Sequence, residues 1–170
     1  MSWTDTNIDG IKYYSGIARY EKFFIRDFNE DNIENSKIYL DLGDLWSVGE
    51  VWLNDKPLGI GWTKPYRFDI TEIIKPGVNK LVIEIANTWS NRLKGDAVTG
   101  ENFTSTNIVT TKVKDTREIY YPWKDVPLID SGLFGPVKIK TVKIYKTKID
   151  NSLGNKNPLL KAPHDKLARK

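Results

Sequence analysis

The chain has 170 residues, a net charge of +4, no cysteine and a single histidine, His164. That length supports one domain with a real core. The counts exclude a disulfide framework and, in the body of the chain, a Ser-His-Asp triad, a Cys-His pair or a His-rich zinc site. Acid–base chemistry would fall to carboxylates, tyrosine or lysine. No apolar run approaches the roughly 18–20 residues that span a bilayer, and MSWTDTNIDG lacks the basic-then-apolar order of a signal peptide. These features fit either a cytoplasmic protein or a piece of a longer secreted chain. Charge is uneven: residues 138–170 hold 10 Lys+Arg and 2 Asp+Glu, against 16 and 20 in residues 1–137. This basicity reads as solvation of an edge strand and a tail rather than as a nucleic-acid surface.

In chain order, GIARYEKFFI (16–25) predicts a strand with Ala18, Tyr20 and Phe24 on one side. NEDNIEN (29–35) predicts one helical turn or a loop. Ile38, Leu40 and Leu42 then alternate with Lys37, Tyr39 and Asp41. Val51 and Leu53 alternate with Glu50, Trp52 and Asn54; Tyr66, Phe68 and Ile70 with Arg67 and Asp69; Leu81, Ile83 and Ile85 with Val82, Glu84 and Ala86. Period two in short β-rich runs marks half-buried strands. Asn54-Asp55 suits a tight hairpin, because both residues tolerate the left-handed conformation. Thr71 is placed to cap a helical turn at TEII, and Pro76-Gly77 turns the chain before the strand at 79–87. No other segment reads as a helix of any length.

The Thr/Asn/Gly-rich stretch between Asp96 and Glu118 predicts a projecting hairpin or a functional loop. Val137 to Tyr145 predicts a last strand, with a phase slip between Thr141 and Val142 that would mark a bulge. The polar, basic sequence of 149–170 reads as a flexible tail, leaving 1–148 as one domain. Seven or eight short strands without helices give an all-β two-sheet β-sandwich, a jelly roll.

Six tryptophans and eight tyrosines stand out. Such rings stack on sugar faces, and they equally fill small β cores. Trp52, on the outward phase, predicts a docking face for a neighbouring domain, with a locally covered surface ring or a sugar platform as the alternatives. Trp46 and Trp62, beside turns, predict plugs at the ends of the sandwich, and Trp62 is grouped with Trp52 for docking. ANTWSNRLKGD (86–96) concentrates Trp89, Asn91, Arg92 and Asp96, whose donors and acceptor could bind sugar hydroxyls beside a stacking plane. The same residues could pair with one another, Arg92 with Asp96 and Asn91 with backbone. Tyr121 and Trp123 flank Pro122 in a second aromatic loop. Glycosidase chemistry would need two of Glu50, Asp69, Glu84, Asp96, Glu118, Asp125 and Asp130 to face each other across a bond. Most of these alternate with core residues and so face solvent, which argues against catalysis by this chain alone.

The order LDLGDLWSVGEVWLNDKPLGIGWTKPYRFDITEIIKPGVNKLVIEIANTWSNRLKGD followed by LIDSGLFGPVKI resembles the sugar-binding, galactose-binding-like sandwich of family 2 glycoside hydrolases. It is more similar to the C-terminal sandwich of bacterial family 106 α-L-rhamnosidase-like proteins. The matching segments run from Glu50 to Gly59, Pro65 to Thr71, Lys75 to Asp96 and Ser131 to Val137; Asn54-Asp55 departs from the usual Asn-Gly turn.

The resemblance implies an accessory, non-catalytic module of a larger polysaccharide-degrading hydrolase. Its partners would be the catalytic domain and, in addition, a plant or bacterial glycan, in a periplasmic or secreted setting. It carries no catalytic residue over to this chain; no cofactor is expected, and charge and hydropathy patterning give no nucleic-acid or membrane partner. Related sandwiches hold a structural calcium, but no dense Asp/Asn loop here supports one. The alternatives are an autonomous carbohydrate-binding module and a protein-interaction or scaffold domain acting through the basic tail.

Overall fold

A computed structural model describes residues 1–27, 35–114 and 116–145. The NEDNIEN segment up to residue 34 and the tail with His164 lie outside the described residues. Eleven strands are seen among them: β1 (Ile17–Arg26), β2 (Ser36–Asp41), β3 (Asp44–Trp46), β4 (Val48–Leu53), β5 (Lys56–Gly61), β6 (Arg67–Asp69), β7 (Gly77–Ala86), β8 (Thr111–Lys114), β9 (Arg117–Tyr120), β10 (Gly132–Gly135) and β11 (Lys138–Lys143). Two helices join them, a single turn α1 (Asp9–Lys12) and a longer α2 (Ser90–Thr99).

The strands form an antiparallel four-stranded sheet, β1-β7-β4-β5, and a three-stranded sheet, β11-β2-β6. β10 pairs with β3. The hairpin β8–β9 pairs with no other strand among the described residues, so the Thr-rich stretch does carry a hairpin. The two larger sheets close on one core made of Ile38, Leu40, Leu42, Leu45, Val51, Leu53, Ile70, Leu81, Ile83 and Ile85, with Tyr20, Phe24, Phe68, Leu133 and Ile139 at its margin. The fold is an all-β sandwich, and the alternating residues of β2, β4 and β7 are the ones that fill it.

One departure from period two and two expectations that the structure corrects have local causes. Val82 holds the outward phase of β7 yet is 4% exposed. It lies directly opposite Trp52 on β4, whose large ring shares that outer face. β11 runs in unbroken register with β2 from Lys138↔Asp41 to Lys143↔Ser36, so the expected bulge at Thr141 is absent. Val142 simply takes the outward phase and is 45% exposed. At Thr71 the hydroxyl accepts from Ile38 N (2.9 Å) and donates to Asp69 Oδ1 (2.6 Å). It therefore ties the turn to β2 instead of capping a helix.

Two asparagines lock the turn end of the sandwich. Asn54 and Asp55 have φ of 52° and 62°, as a two-residue hairpin turn requires. Asn54 Nδ2 donates to Asn79 Oδ1 (2.8 Å) and Ile73 O (3.0 Å), and its Oδ1 accepts from Lys80 N. Asn79 is fully buried and donates to Lys75 O and Gly77 O. A buried amide is tolerated because every polar atom is matched.

α2 is the main surprise against the sequence reading, which gave no helix there. Its apolar residues are few: Leu93 is buried, Ala97 and Val98 are not. Position, not periodicity, makes the helix. Gly95 faces Tyr13 so closely that a Cβ would sit 2.6 Å from Tyr13 Cβ. Gly100 ends the helix in the left-handed region (φ 76°), its N–H donating to Asp96 O.

Candidate functional site

One end of the sandwich gathers the exposed tryptophans. β7 leaves it at Ala86, opposite Val48 at the start of β4; β5 leaves it at Gly61, opposite Gly49. Trp46, Trp62 and Trp89 lie just outside these positions and are 45%, 74% and 64% exposed. Trp46 and Trp62 therefore do not plug the sandwich. In β3 the inward phase falls on Leu45 (1% exposed), which sends Trp46 outward. At the end of β5 the inward position is Gly61, packed under Tyr66 and Phe68, so Trp62 also turns out. Lys64 Nζ pairs with Asp44 Oδ2 (2.8 Å), tying the loop after Trp62 to β3. That bond holds the Asp44 carboxyl below its ordinary range and raises Lys64. Ile17, opposite Ala86, adds exposed apolar surface at the same end.

Behind this surface lies a polar frame that joins distant segments. Asn87 Oδ1 accepts from Gly16 N (2.9 Å), and its Nδ2 donates to Tyr14 O (2.8 Å) and Ser131 Oγ (3.1 Å). Asn91 is 2% exposed; its Nδ2 donates to Ile129 O (2.7 Å) and Ser131 Oγ (3.1 Å), and its Oδ1 accepts from Ile129 N (2.9 Å). Ser131 N in turn donates to Ser2 Oγ (2.9 Å). Asn91 thus has its amide committed to the segment before β10 and offers no polar atom to a sugar.

Arg92 and Asp96 are also committed to each other. Arg92 Nε and the terminal nitrogen both donate to Asp96 Oδ1, at 2.8 and 2.7 Å, with side chains 19% and 10% exposed. Asp96 Oδ2 accepts from Thr104 N (2.9 Å), and the Arg92 guanidinium lies 4.8 Å from the Phe103 ring centre. The pair fastens the segment after α2 onto the helix. Lys94 Nζ donates to Lys124 O and Val126 O, which sets a 3₁₀ turn (Trp123–Asp125) against α2. Trp123 Nε1 donates to Ile108 O (3.1 Å), and the Tyr121 hydroxyl donates to Asp125 O. Of the six residues nominated for sugar contact, Trp89 is the one whose ring is openly exposed; Tyr121 and Trp123 are half-buried. Tyr120, not nominated, is 63% exposed beside them.

Trp52 is half-buried on the outer face of β4, with Val82 and Pro57 opposite it. It lies three residues along the strand from Gly49, which faces Gly61, and so roughly 13 Å from the level of Trp62; the two nominated docking residues occupy different parts of the surface. Glu50 and Glu84 are directly opposite each other on that same outer face, with Arg19 Nη1 3.0 Å from Glu84. They share a sheet surface with Arg19 of the neighbouring edge strand β1; they do not flank a cleft. Asp69 bonds Lys37 and Thr71, which lower its pKa to about 2. Among the described residues no group of three or more His, Cys, Asp or Glu is placed to hold a metal ion.

Comparison with known proteins gives this surface its context. The family model "Glycosyl hydrolase 2 galactose-binding domain-like" matches residues 11–124. The chain belongs to this family. A rhamnosidase structure from Novosphingobium sp. PP1Y is similar, with a TM-score of 0.69 and 35% identity over 83% of this chain and 12% of that one. A protein of Formosa agariphila that carries the name of a β-glucuronidase is 36% identical, over 83% of this chain and 13% of its own length. The chain therefore spans a small part of the relatives it matches. It is a galactose-binding-like β-sandwich of the glycoside hydrolases, alike to a piece of a larger protein.

Proposed function

We propose that this sandwich is a non-catalytic accessory module of a bacterial polysaccharide-degrading hydrolase. It packs on the catalytic domain through the end bearing Trp46, Trp62 and Trp89. The observation that supports this most is the exposure of all three rings at one end, on a domain that matches 12–13% of its larger relatives. Exposed aromatic groups around polar anchors are what a domain interface uses. The carboxylates contribute electrostatics within the module and no chemistry. The test is association of the 170-residue chain with a separately expressed catalytic domain of its parent hydrolase. The double variant Trp62→Ser/Trp89→Ser should weaken it at least about tenfold, while Trp52→Ser should weaken it less. No association with the unaltered chain would overturn the reading.

A second reading is direct glycan contact at the same end. Trp89 is the stacking plane, Tyr121 and Trp123 the neighbouring wall, and Arg92, Asp96 and Asn91 the scaffold behind it. The exposure of Trp89 beside α2 favours it. Calorimetry with rhamnose- and galactose-bearing glycans is the measurement. Heat that disappears in Trp89→Ser supports this reading, and no heat at millimolar glycan rejects it.

A further inference from the structure

A different part of the molecule carries an inference that does not depend on the module's role. β1 and β11 are the edge strands of the two larger sheets, and they face each other across the open side of the sandwich. Between them lies a cleft of about 480 Å³ that reaches the core at Leu40, Leu81 and Ile83, with Phe24, Leu133 and Ile139 in its walls. The gap is bridged near its ends. Arg26 donates to Thr141 Oγ1 (3.3 Å) at one, and Leu133 N to the Tyr20 hydroxyl (3.3 Å) at the other. Between these ties, Glu21 to Ile25 of β1 has no strand partner on the side away from β7 among the described residues.

This edge carries apolar side chains on both faces, beside Glu21 on the outer one, which pairs with Arg19 and Lys80. Phe23 and Ile25 are 60% and 72% exposed on the outer face, beside Val78 at 56%. Phe24 borders the cleft on the inner one. An unpartnered edge that exposes apolar side chains is a template for another strand. It also carries a charge code. Lys22 holds the inward phase and lines the cleft with Lys138, and neither makes an ion pair among the described residues. An inward lysine on an edge strand discourages indiscriminate pairing. It becomes favourable when the incoming strand supplies a carboxylate.

We propose that the Glu21–Ile25 edge of β1 docks an extended peptide segment with alternating aliphatic side chains and a carboxylate opposite Lys22. The added strand would lengthen the four-stranded sheet and roof the cleft, with one aliphatic side chain filling it over Phe24. A second copy of this chain fits worse in the two antiparallel registers centred on the phenylalanines of this edge. Antiparallel self-pairing centred on Phe24 sets Lys22 against Arg26 and Glu21 against Asp27. Centred on Phe23, it sets Glu21 against Ile25 and Lys22 against Phe24. Like charges, or charges against apolar groups, meet in both registers.

The probe is a fluorophore-labelled peptide, acetyl-Ser-Thr-Val-Leu-Val-Glu-Thr-Ser-amide, whose Glu meets Lys22 and whose Leu meets Phe24 when it runs antiparallel to β1. Anisotropy with the full chain should saturate, and amide exchange should slow within Glu21–Ile25. A peptide with Pro in place of Leu should not bind, since proline breaks a strand ladder. Lys22→Glu, an exposed change that leaves the core intact, should weaken binding roughly tenfold or more. A peptide with Lys in place of Glu should recover the loss. No saturation by about 1 mM peptide, equal binding of the Pro peptide, or no swap of preference in Lys22→Glu would each overturn the proposal. So would a stable dimer in sedimentation that the peptide fails to dissociate, because the edge would then belong to a second copy.

Discussion

Residues 36–86 and residues 87–131 are built on different principles. In the first region apolar side chains alternate along strands and stack into one core, from Ile38 to Ile85. In the second, ordering comes from side chains that bond distant backbone. Asn91 reaches Ile129, Lys94 reaches Lys124 and Val126, and Asp96 reaches Thr104. The first region is held mainly by an effect proportional to buried area and tolerant of detail, with the Asn54–Asn79 pair locking its turn end. The second depends on a few matched polar atoms, each costly to leave alone. The exposed tryptophan end sits on the boundary, carried by strands of the first region and backed by the frame of the second.

The sharpest way to break this contrast is to empty the core. Ile85→Ala should cost about 2–5 kcal/mol and lower the whole unfolding transition in urea, with no part of the sandwich spared. Asn91→Ala should cost about 1–3 kcal/mol, because Ile129 and Ser131 lose buried partners. Its signature is faster amide exchange concentrated around Ile129 and Ser131, with the β4–β7 amides still protected. Equal loosening of both regions by Asn91→Ala would show that the two are one cooperative unit.

Asp41→Asn probes the three-stranded sheet. Asp41 accepts from Lys140 (2.6 Å), from Gly43 N (2.9 Å) and from Arg67 (3.1 Å). These bonds, that from Lys140 foremost, lower its pKa to about 2. A depressed folded-state pKa stabilises the fold above the unfolded value near 4 and loses that effect as pH falls toward 2. Asp41→Asn should therefore cost about 1–2 kcal/mol at pH 7, and the gap to the unaltered chain should close between about pH 4 and pH 2. Urea titrations at pH 7, 4 and 2 check this; a gap independent of pH would contradict it. The smallest effect is expected at Trp62→Ser. Its ring is 74% exposed, so stability should change by no more than about 0.5 kcal/mol, which separates the docking role proposed for it from any role in the fold.

The all-β sandwich, the Asn54-Asp55 hairpin and most of the core were legible because period two reports directly which face of a strand is buried. Phase arithmetic also contained the exposure of Trp46, once Leu45 is assigned inward. α2 was not legible, since its sequence carries neither an apolar stripe nor an N-terminal capping residue. The Gly95 contact with Tyr13 and the Asn91 bonds to Ile129 cross between segments far apart in the chain. The nominated set at Trp89, Asn91, Arg92 and Asp96 was found by composition, which cannot tell a polar group facing solvent from one matched inside.

The sequence by itself determined the class of fold, the strands of residues 36–86 and the family, because alternation and turn chemistry are local properties. The tertiary structure alone decided which polar groups were already satisfied and which end collected the tryptophans. It also decided that two edge strands leave a lysine-rimmed cleft open between them. Those are relations between segments brought together only by packing, and no local pattern encodes them.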